Sequence, residues 1–80
     1  MTREQCKAAR ILLGWEQKQL ASVSGVALRS IVNFESGARS PYDATLAKLQ
    51  TALESAGVQF ISPGEQSVSG GVGVRLIKGD

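Results

Sequence analysis

The chain has 80 residues with a formal net charge of +2; 42% of the residues are hydrophobic and 20% are charged. This composition predicts one small globular domain and excludes a disordered chain. No apolar run approaches about 18 residues, so a membrane span is excluded. The absence of histidine and the single cysteine remove the usual ligands of zinc sites and the usual base of nucleophilic catalysis. We therefore expect no catalytic residues, no metal site, no cofactor and no enzymatic activity.

The charge is unevenly distributed along the chain. Residues 1–40 contain six Lys or Arg against three Glu, whereas residues 41–80 contain three against four acidic residues. The positive excess of the first half suits a polyanionic partner on one side of the molecule.

Glycines indicate where four helices end, because glycine just beyond a helix adopts the left-handed conformation without a Cβ clash. Gly14, Gly25, Gly37 and Gly57 each follow a segment with helical spacing of apolar residues. The predicted helices are Thr2–Leu13, Gln17–Ser24, Leu28–Ser36 and Asp43–Ala56.

Local signals support the ends of these helices. Thr2 and Gln5 form a capping-box pattern at the first helix, and Ser40 and Pro41 are predicted to cap the fourth. Cys6 has the spacing of the first helix's apolar face, which predicts a buried, unreactive thiol. Trp15, between the first two helices, is predicted to join the core.

The sequence after Gly57 changes to short β-branched segments. Val58–Ile61 and Val72–Ile77 predict two strands, and residues 62–71 between them predict a flexible loop. A two-stranded ribbon is marginal by itself in water, so it must pack on the helices, pair with another chain, or both. We therefore divide the chain into a helical domain, residues 1–57, and a β-ribbon extension, residues 58–80, which we expect to form antiparallel strands that support a homodimer.

The connection between the second and third helices is very short. Only Gly25, Val26 and Ala27 separate them, which forces a steep crossing angle and is typical of a helix-turn-helix. Val26 is then expected to fill the turn. The contacts between the two helices are predicted to come from Leu20, Ala21, Ile31 and Phe34.

The outward face of the third helix follows from this packing. It carries Leu28, Arg29, Val32 and Asn33, with Ser30 toward its edge. A short helix with such side chains can enter a major groove of about 12 Å width.

The segment from Trp15 to Gly37 resembles the helix-turn-helix of the Cro/phage-repressor class, the Xre family. The resemblance covers residues 5 to about 56, and the matching positions are Gln17, Leu20, Ala21, Gly25, Val26, Ile31, Glu35 and Gly37. It implies a mainly α fold: a four-helix repressor-like helix-turn-helix domain with a short C-terminal two-stranded β ribbon. It also implies a sequence-specific DNA-binding transcriptional regulator.

The resemblance further implies which residues meet double-stranded DNA. The glutamine that opens the second helix binds a backbone phosphate, the start of the third helix reads bases, and the following loop meets the backbone again. A pair between Arg10 and Glu35 is implied as well. The implied DNA-binding residues are Gln17, Lys18, Leu28, Arg29, Ser30, Asn33 and Arg39.

Two departures from the family pattern stand out. Glu16 occupies the cap of the second helix, where the family prefers serine or threonine. Leu28 and Val32 are apolar where some members carry glutamines; they can contact thymine methyl groups but cannot donate hydrogen bonds. Readout is therefore expected to rest on Arg29, Asn33 and DNA shape.

The function expected from these observations is that of a homodimeric repressor at a palindromic operator, in the cytoplasm and associated with the bacterial nucleoid. Two alternatives remain open. The protein is an antitoxin whose tail binds a toxin, or it is a protein-interaction module that no longer binds DNA. An anti-regulator or toxin protein is accordingly a possible partner.

Overall fold

The computed structural model describes residues 1–61 and 73–77 and contains four helices followed by an antiparallel two-stranded sheet. This confirms the predicted mainly α fold with a C-terminal ribbon. Within the described residues, no helix is long and apolar enough to cross a membrane. The elements are α1 Arg3–Leu12, α2 Gln17–Ser24, α3 Leu28–Ser36, α4 Asp43–Ser55, β1 Val58–Ile61 and β2 Gly73–Leu76.

The ends of α1 are set by caps. The backbone N–H of Gln5 donates to the Thr2 hydroxyl at 3.0 Å, and the backbone N–H of Thr2 donates to Gln5 Oε1 at 2.8 Å. The predicted capping box is therefore confirmed. Thr2 and Leu13, which the prediction included in the helix, are its N-cap and C-cap residues.

α4 begins at Asp43, as predicted, but its capping residue differs from the prediction. Its N-cap is Tyr42, whose side chain makes no capping hydrogen bond, so the predicted cap by Ser40 and Pro41 is wrong. Ser40 lies two positions before the N-cap, which places its hydroxyl too early to accept from the first-turn N–H groups. At the other end, Ala56 is the C-cap rather than the last helical residue.

The core joins all four helices to the first strand. Val26 in the α2–α3 turn is 7% exposed and Trp15 packs against the core, both as predicted. Gly25 ends α2 in the left-handed conformation, with φ 75°, which turns the chain into α3 within three residues. The buried apolar residues are Cys6, Ala9, Leu20, Val26, Ile31, Phe34, Leu49, Ala52, Leu53 and Val58.

The ribbon packs on the helices of its own chain. Val58 pairs with Leu76 and Phe60 with Val74, and Val58 belongs to the core, against which Phe60 and Val74 also pack. The predicted antiparallel arrangement is confirmed. Ile77 follows β2 instead of ending it, and the predicted positions of Val72 and of the loop at residues 62–71 lie outside the described residues.

A buried glutamine attaches this ribbon to α1. Gln5 is 6% exposed, and its Nε2 donates to the carbonyl oxygen of Ile61 at 3.2 Å and to that of Gly73 at 2.9 Å. Its side chain thus bonds the N-terminus of α1 and both strands at once.

Candidate nucleic-acid interface

The nine-residue helix α3 has one buried and one exposed face. Ile31 and Phe34 are 0% and 8% exposed, whereas Leu28 and Val32 are 39% and 38% exposed. Arg29 is exposed as well. Leu28, Arg29 and Val32 are therefore exposed as predicted, whereas Asn33 is half-buried.

A groove of about 610 Å³ lies along one side of this face. We call it the α1–α3 groove, because residues of α1 and α3 line it together with the start of α2. Its lining residues are Lys7, Arg10, Glu16, Gln17, Lys18, Leu28, Val32, Glu35 and Ser36.

A smaller cleft of about 100 Å³ lies on the other side of α3, between the helix and the loop that follows it. Its lining residues are Arg29, Ser30, Asn33, Arg39 and Pro41. We call it the α3–loop cleft. Its side chains offer the guanidinium, hydroxyl and amide groups that hydrogen-bond phosphates and base edges.

The two depressions together contain all seven residues that the sequence assigned to DNA. Gln17, Lys18 and Leu28 line the α1–α3 groove. Arg29, Ser30, Asn33 and Arg39 line the α3–loop cleft. Side chains from α2, α3 and the following loop therefore converge on the two flanks of one short exposed helix.

The Glu35 carboxylate holds two side chains of the groove in place through hydrogen bonds. Arg10 donates from Nε to Glu35 Oε2 at 3.0 Å and from Nη2 to Oε1 at 2.9 Å, so the expected pair is confirmed in two-pronged geometry. Only 13% of the Arg10 and 4% of the Glu35 side-chain surface is exposed. Hydrogen bonding to the carboxylate raises the pKa of Arg10, which keeps the guanidinium charged.

The same carboxylate positions Gln17. The Gln17 amide nitrogen donates to Glu35 Oε1 at 3.1 Å, which fixes the side chain at the first turn of α2. The N-cap residue Glu16 makes no side-chain capping hydrogen bond. The first intrahelical hydrogen bonds of α2 are donated by Gln19 and Leu20 to the Glu16 carbonyl, so the N–H groups before Gln19 have no partner within the helix. Together with the Gln17 amide, these groups form a set of hydrogen-bond donors where the start of α2 lines the groove.

Cys6 lies beneath this network. Its Sγ is 3.6 Å from Glu35 Oε2, and burial, together with the nearby carboxylate, raises the pKa of the thiol to about 12. The predicted buried position of Cys6 is confirmed, and the thiol is protonated at neutral pH. It is thus a poor nucleophile.

Positive charge accumulates around α3. Within residues 1–61 and 73–77, the ion pairs are Arg3–Glu4 and Arg10–Glu35. The exposed cations at the two depressions take part in neither, and Glu16 is the exposed acid among them. These cations are Lys7, Lys18, Arg29 and Arg39. Their unpaired charge favours an anionic ligand on this face.

Lys7 is the cation of this face that sequence reasoning missed. It lies on α1 and lines the α1–α3 groove together with Gln17 and Lys18. A signal for it exists in the sequence. Arg10 was expected to reach Glu35, and a residue three positions earlier lies on the same side of a helix.

With this geometry established, the chain can be compared with known proteins. A family model described as Helix-turn-helix, of the Cro/Xre type, matches residues 7–56. Because this match covers well over half of the chain, the protein belongs to the Cro/Xre helix-turn-helix family. It is a DNA-binding helix-turn-helix regulator, of a family that is not typically enzymatic. No curated protein matches the chain at a significant level.

Proposed function

We propose that the protein is a transcriptional repressor that binds a palindromic operator as a homodimer, at the bacterial nucleoid in the cytoplasm. One observation carries the proposal: the groove and the cleft that flank α3 gather hydrogen-bond donors and cations from α1, α2, α3 and the following loop, and the four exposed cations take part in neither ion pair of the described residues. A major groove about 12 Å wide accepts such a helix, with phosphates on both sides.

Each side chain then has a role set by its chemistry. Gln17 and Lys18 bind backbone phosphates at one flank, and Arg39 binds the backbone at the other. Arg29 reads guanine through its two-pronged fork, and Asn33 reads adenine through its amide. Ser30, half-buried beside them, supplies a hydroxyl at the edge of the cleft. Leu28 contacts bases without hydrogen bonds.

The direct test is footprinting on DNA that flanks the protein's own gene. We expect a protected palindrome whose half-site centres lie about 34–36 Å apart, one turn of DNA. Arg29→Ala should weaken specific binding by about 1–3 kcal/mol and relax one base position in each half-site. Wild-type affinity and wild-type base preference in this variant would remove Arg29 from the readout.

Gln17 is tested by a different comparison. A phosphate contact positions the protein but carries no sequence information. Gln17→Ala should therefore lower the affinities for the operator and for random DNA by similar factors. A loss confined to the operator would contradict the assignment.

Dimerisation is proposed to use the ribbon extension, residues 58–80, while residues 1–57 bind DNA. The N–H of Ile77 donates to the carbonyl of Gly57 at 2.6 Å, which makes these two residues a hydrogen-bonded pair. Because such pairs alternate along antiparallel strands, the backbone groups of Val74 and Leu76 point toward the free edge of β2. Among the described residues, no backbone hydrogen bond outside the ribbon uses either of them.

Two exposed apolar side chains lie at this free edge. Leu76 is 44% and Ile77 50% exposed. Pairing β2 with β2 of a second copy satisfies the edge and covers both side chains, as unpaired strand edges require. The Cα extents of the fold, 34 × 30 × 20 Å, allow two copies side by side to place their α3 helices one DNA turn apart.

The dimer is tested by a substitution at this edge, because truncation after Gly57 would remove the core residue Val58. Leu76→Lys should give a monomer in sedimentation and weaken operator binding. Val23→Lys is the matched control, since Val23 is 53% exposed and lines a depression between α2 and α4 that contains no residue of α3. A Leu76→Lys protein that still dimerised would place the interface on the helices.

The same exposed residues, Leu76 and Ile77, also favour the antitoxin alternative, in which the tail binds a toxin instead of a second copy. Sedimentation of the purified chain separates the two functions. A chain that stays monomeric alone, but forms a tight complex with the product of an adjacent gene, would identify an antitoxin.

A further inference from the structure

Two aliphatic side chains form a separate column on the exposed face of α3. Leu28 and Val32 are four positions apart, so they lie one above the other on the helix. Both line the α1–α3 groove and both remain more than one-third exposed. The core does not need them, because Ile31 and Phe34 already bury the opposite side of the helix.

The surroundings of this column define what can occupy it. Lys7 and Lys18 line the same groove and take part in neither ion pair of the described residues, while Gln17 presents its amide nearby. The exposed carboxylate at the N-cap of α2 lines the groove too, but the two lysines outnumber it, so the occupant must bring apolar groups to the aliphatic column and negative charge to the lysines. A purely apolar partner surface does not satisfy the lysines.

A DNA major groove meets both requirements. Its walls are phosphates, and the apolar group that unmodified base pairs present there is the C5-methyl of thymine. We infer that Leu28 and Val32 recognise thymine methyl groups, and that Val32 is a specificity-determining residue beside the readers already named. This inference rests on the proposed function and adds a base preference to it.

The arrangement also predicts the character of the half-site. Arg29 and Asn33 follow Leu28 and Val32 directly in the chain and line the cleft on the other side of α3. The helix thus presents a polar column next to an aliphatic one. Each half-site should combine guanine and adenine, read by hydrogen bonds, with thymines read by methyl contact.

The experiment uses the full chain and can begin before the operator is identified. Binding sites are selected from a random duplex pool, and each thymine of the enriched half-site is then replaced by deoxyuridine, which removes only the methyl group. Wild-type protein should lose about fourfold in affinity at the thymine that faces Val32, the factor expected for one buried methyl-sized group.

Alanine variants identify which protein side chain contacts each thymine methyl group. In Val32→Ala, the same deoxyuridine substitution should have almost no further effect, and Leu28→Ala should do the same at a second thymine. Val23→Ala is the control: it removes the same atoms from an exposed valine on α2 and should keep the full fourfold loss. Circular dichroism checks that all three variants are folded.

The outcomes separate the inference from the proposed function. An enriched site that tolerates deoxyuridine at every thymine would overturn the inference alone, as would a loss that persists unchanged in both α3 variants. A protein that enriched no sequence would overturn the proposed function and this inference together. In that case the groove would have to receive an acidic, amphipathic protein segment.

Discussion

Replacing Glu35 by glutamine tests the network beneath the interface. The carboxylate accepts two hydrogen bonds from Arg10, one from Gln17 and a contact from the Cys6 thiol. Glutamine has the same shape, but its amide nitrogen cannot accept from the guanidinium. Glu35→Gln therefore leaves the Arg10 charge, largely buried, without its counter-ion.

The stability lost in Glu35→Gln follows from the burial of the Arg10–Glu35 ion pair. Removing one partner of a buried ion pair costs about 3–5 kcal/mol, and we expect about 3 kcal/mol because 13% of the Arg10 side chain still meets water. A chain of this size is stable by roughly 4–12 kcal/mol. In a small domain each kcal/mol lowers the melting temperature by roughly 4–8 °C, so the shift is large.

A double-mutant cycle measured by urea unfolding separates the pair from other effects. Arg10→Met alone leaves the carboxylate of Glu35 unpaired, whereas Arg10→Met combined with Glu35→Gln leaves no charge. The double variant should be more stable than the sum of the single losses predicts, by about 2–3 kcal/mol. Additive losses, or a cost below about 1 kcal/mol for Glu35→Gln, would refute this account of the network.

The same variant has a functional readout. Without the carboxylate, the Gln17 amide loses the charged acceptor that fixes it. Glu35→Gln should therefore weaken binding to the operator and to random DNA alike when measured at a temperature where the variant is folded. A loss of base preference at constant random-DNA affinity would be inconsistent with a role in positioning a phosphate contact.

The remaining predictions concern three further side chains. Lys7→Gln should lower the slope of log affinity against log salt by about 0.9, the value for one phosphate contact. Lys48→Gln, on α4 in the depression between α2 and α4, should leave the slope unchanged, and equal slopes for the wild type and both variants would remove Lys7 from the interface. Because burial raises the pKa of Cys6 to about 12, the unfolded thiol ionises first. The free energy of unfolding should therefore be unaffected by Cys6 below about pH 8.5 and should fall toward pH 12 by up to about 1.4 kcal/mol per pH unit. Urea unfolding under reducing conditions should show this fall in the wild type and not in Cys6→Ala, and identical pH profiles for the two proteins would contradict it. Gln5→Glu should cost about 2–3 kcal/mol at pH 7, because its carboxylate faces two carbonyl oxygens. The cost should shrink near pH 4, where the acid is protonated, and a pH-independent cost would count against these contacts.

The sequence predicts the helices well because their ends depend on local signals. Gly25 and Gly37 adopt the left-handed conformation that ends α2 and α3, and the predicted bounds of both helices agree with the structure. The capping box is likewise local, because Thr2 and Gln5, which form it, are only three positions apart. The local signal misled at α4, where the predicted cap by Ser40 and Pro41 is wrong and Tyr42 is the N-cap.

Contacts between distant parts of the chain could not be predicted in this way. Gln5 has an evident local role in the capping box, and nothing near it in the sequence indicates that its amide reaches Ile61 and Gly73. For Lys7 the sequence indicates only the side of α1 on which it lies, three positions before Arg10, and it is the packing of α1 against α3 that brings it to the groove. Both residues depend on how separate elements meet, which a local pattern does not encode.

Different side chains of α3 hold the helix in the fold and face the DNA, which explains how one short helix can be both stable and able to recognise bases. Nine residues are too few for a helix to be stable alone, and its N-cap, Ala27, makes no side-chain capping hydrogen bond. The helix is held by Ile31 and Phe34 in the core and by Glu35 in the ion-pair network. None of these three side chains belongs to the outward columns. Substitutions in those columns should therefore change which DNA sequence is bound at little cost to folding, whereas substitutions at the three inward positions should weaken folding and binding together.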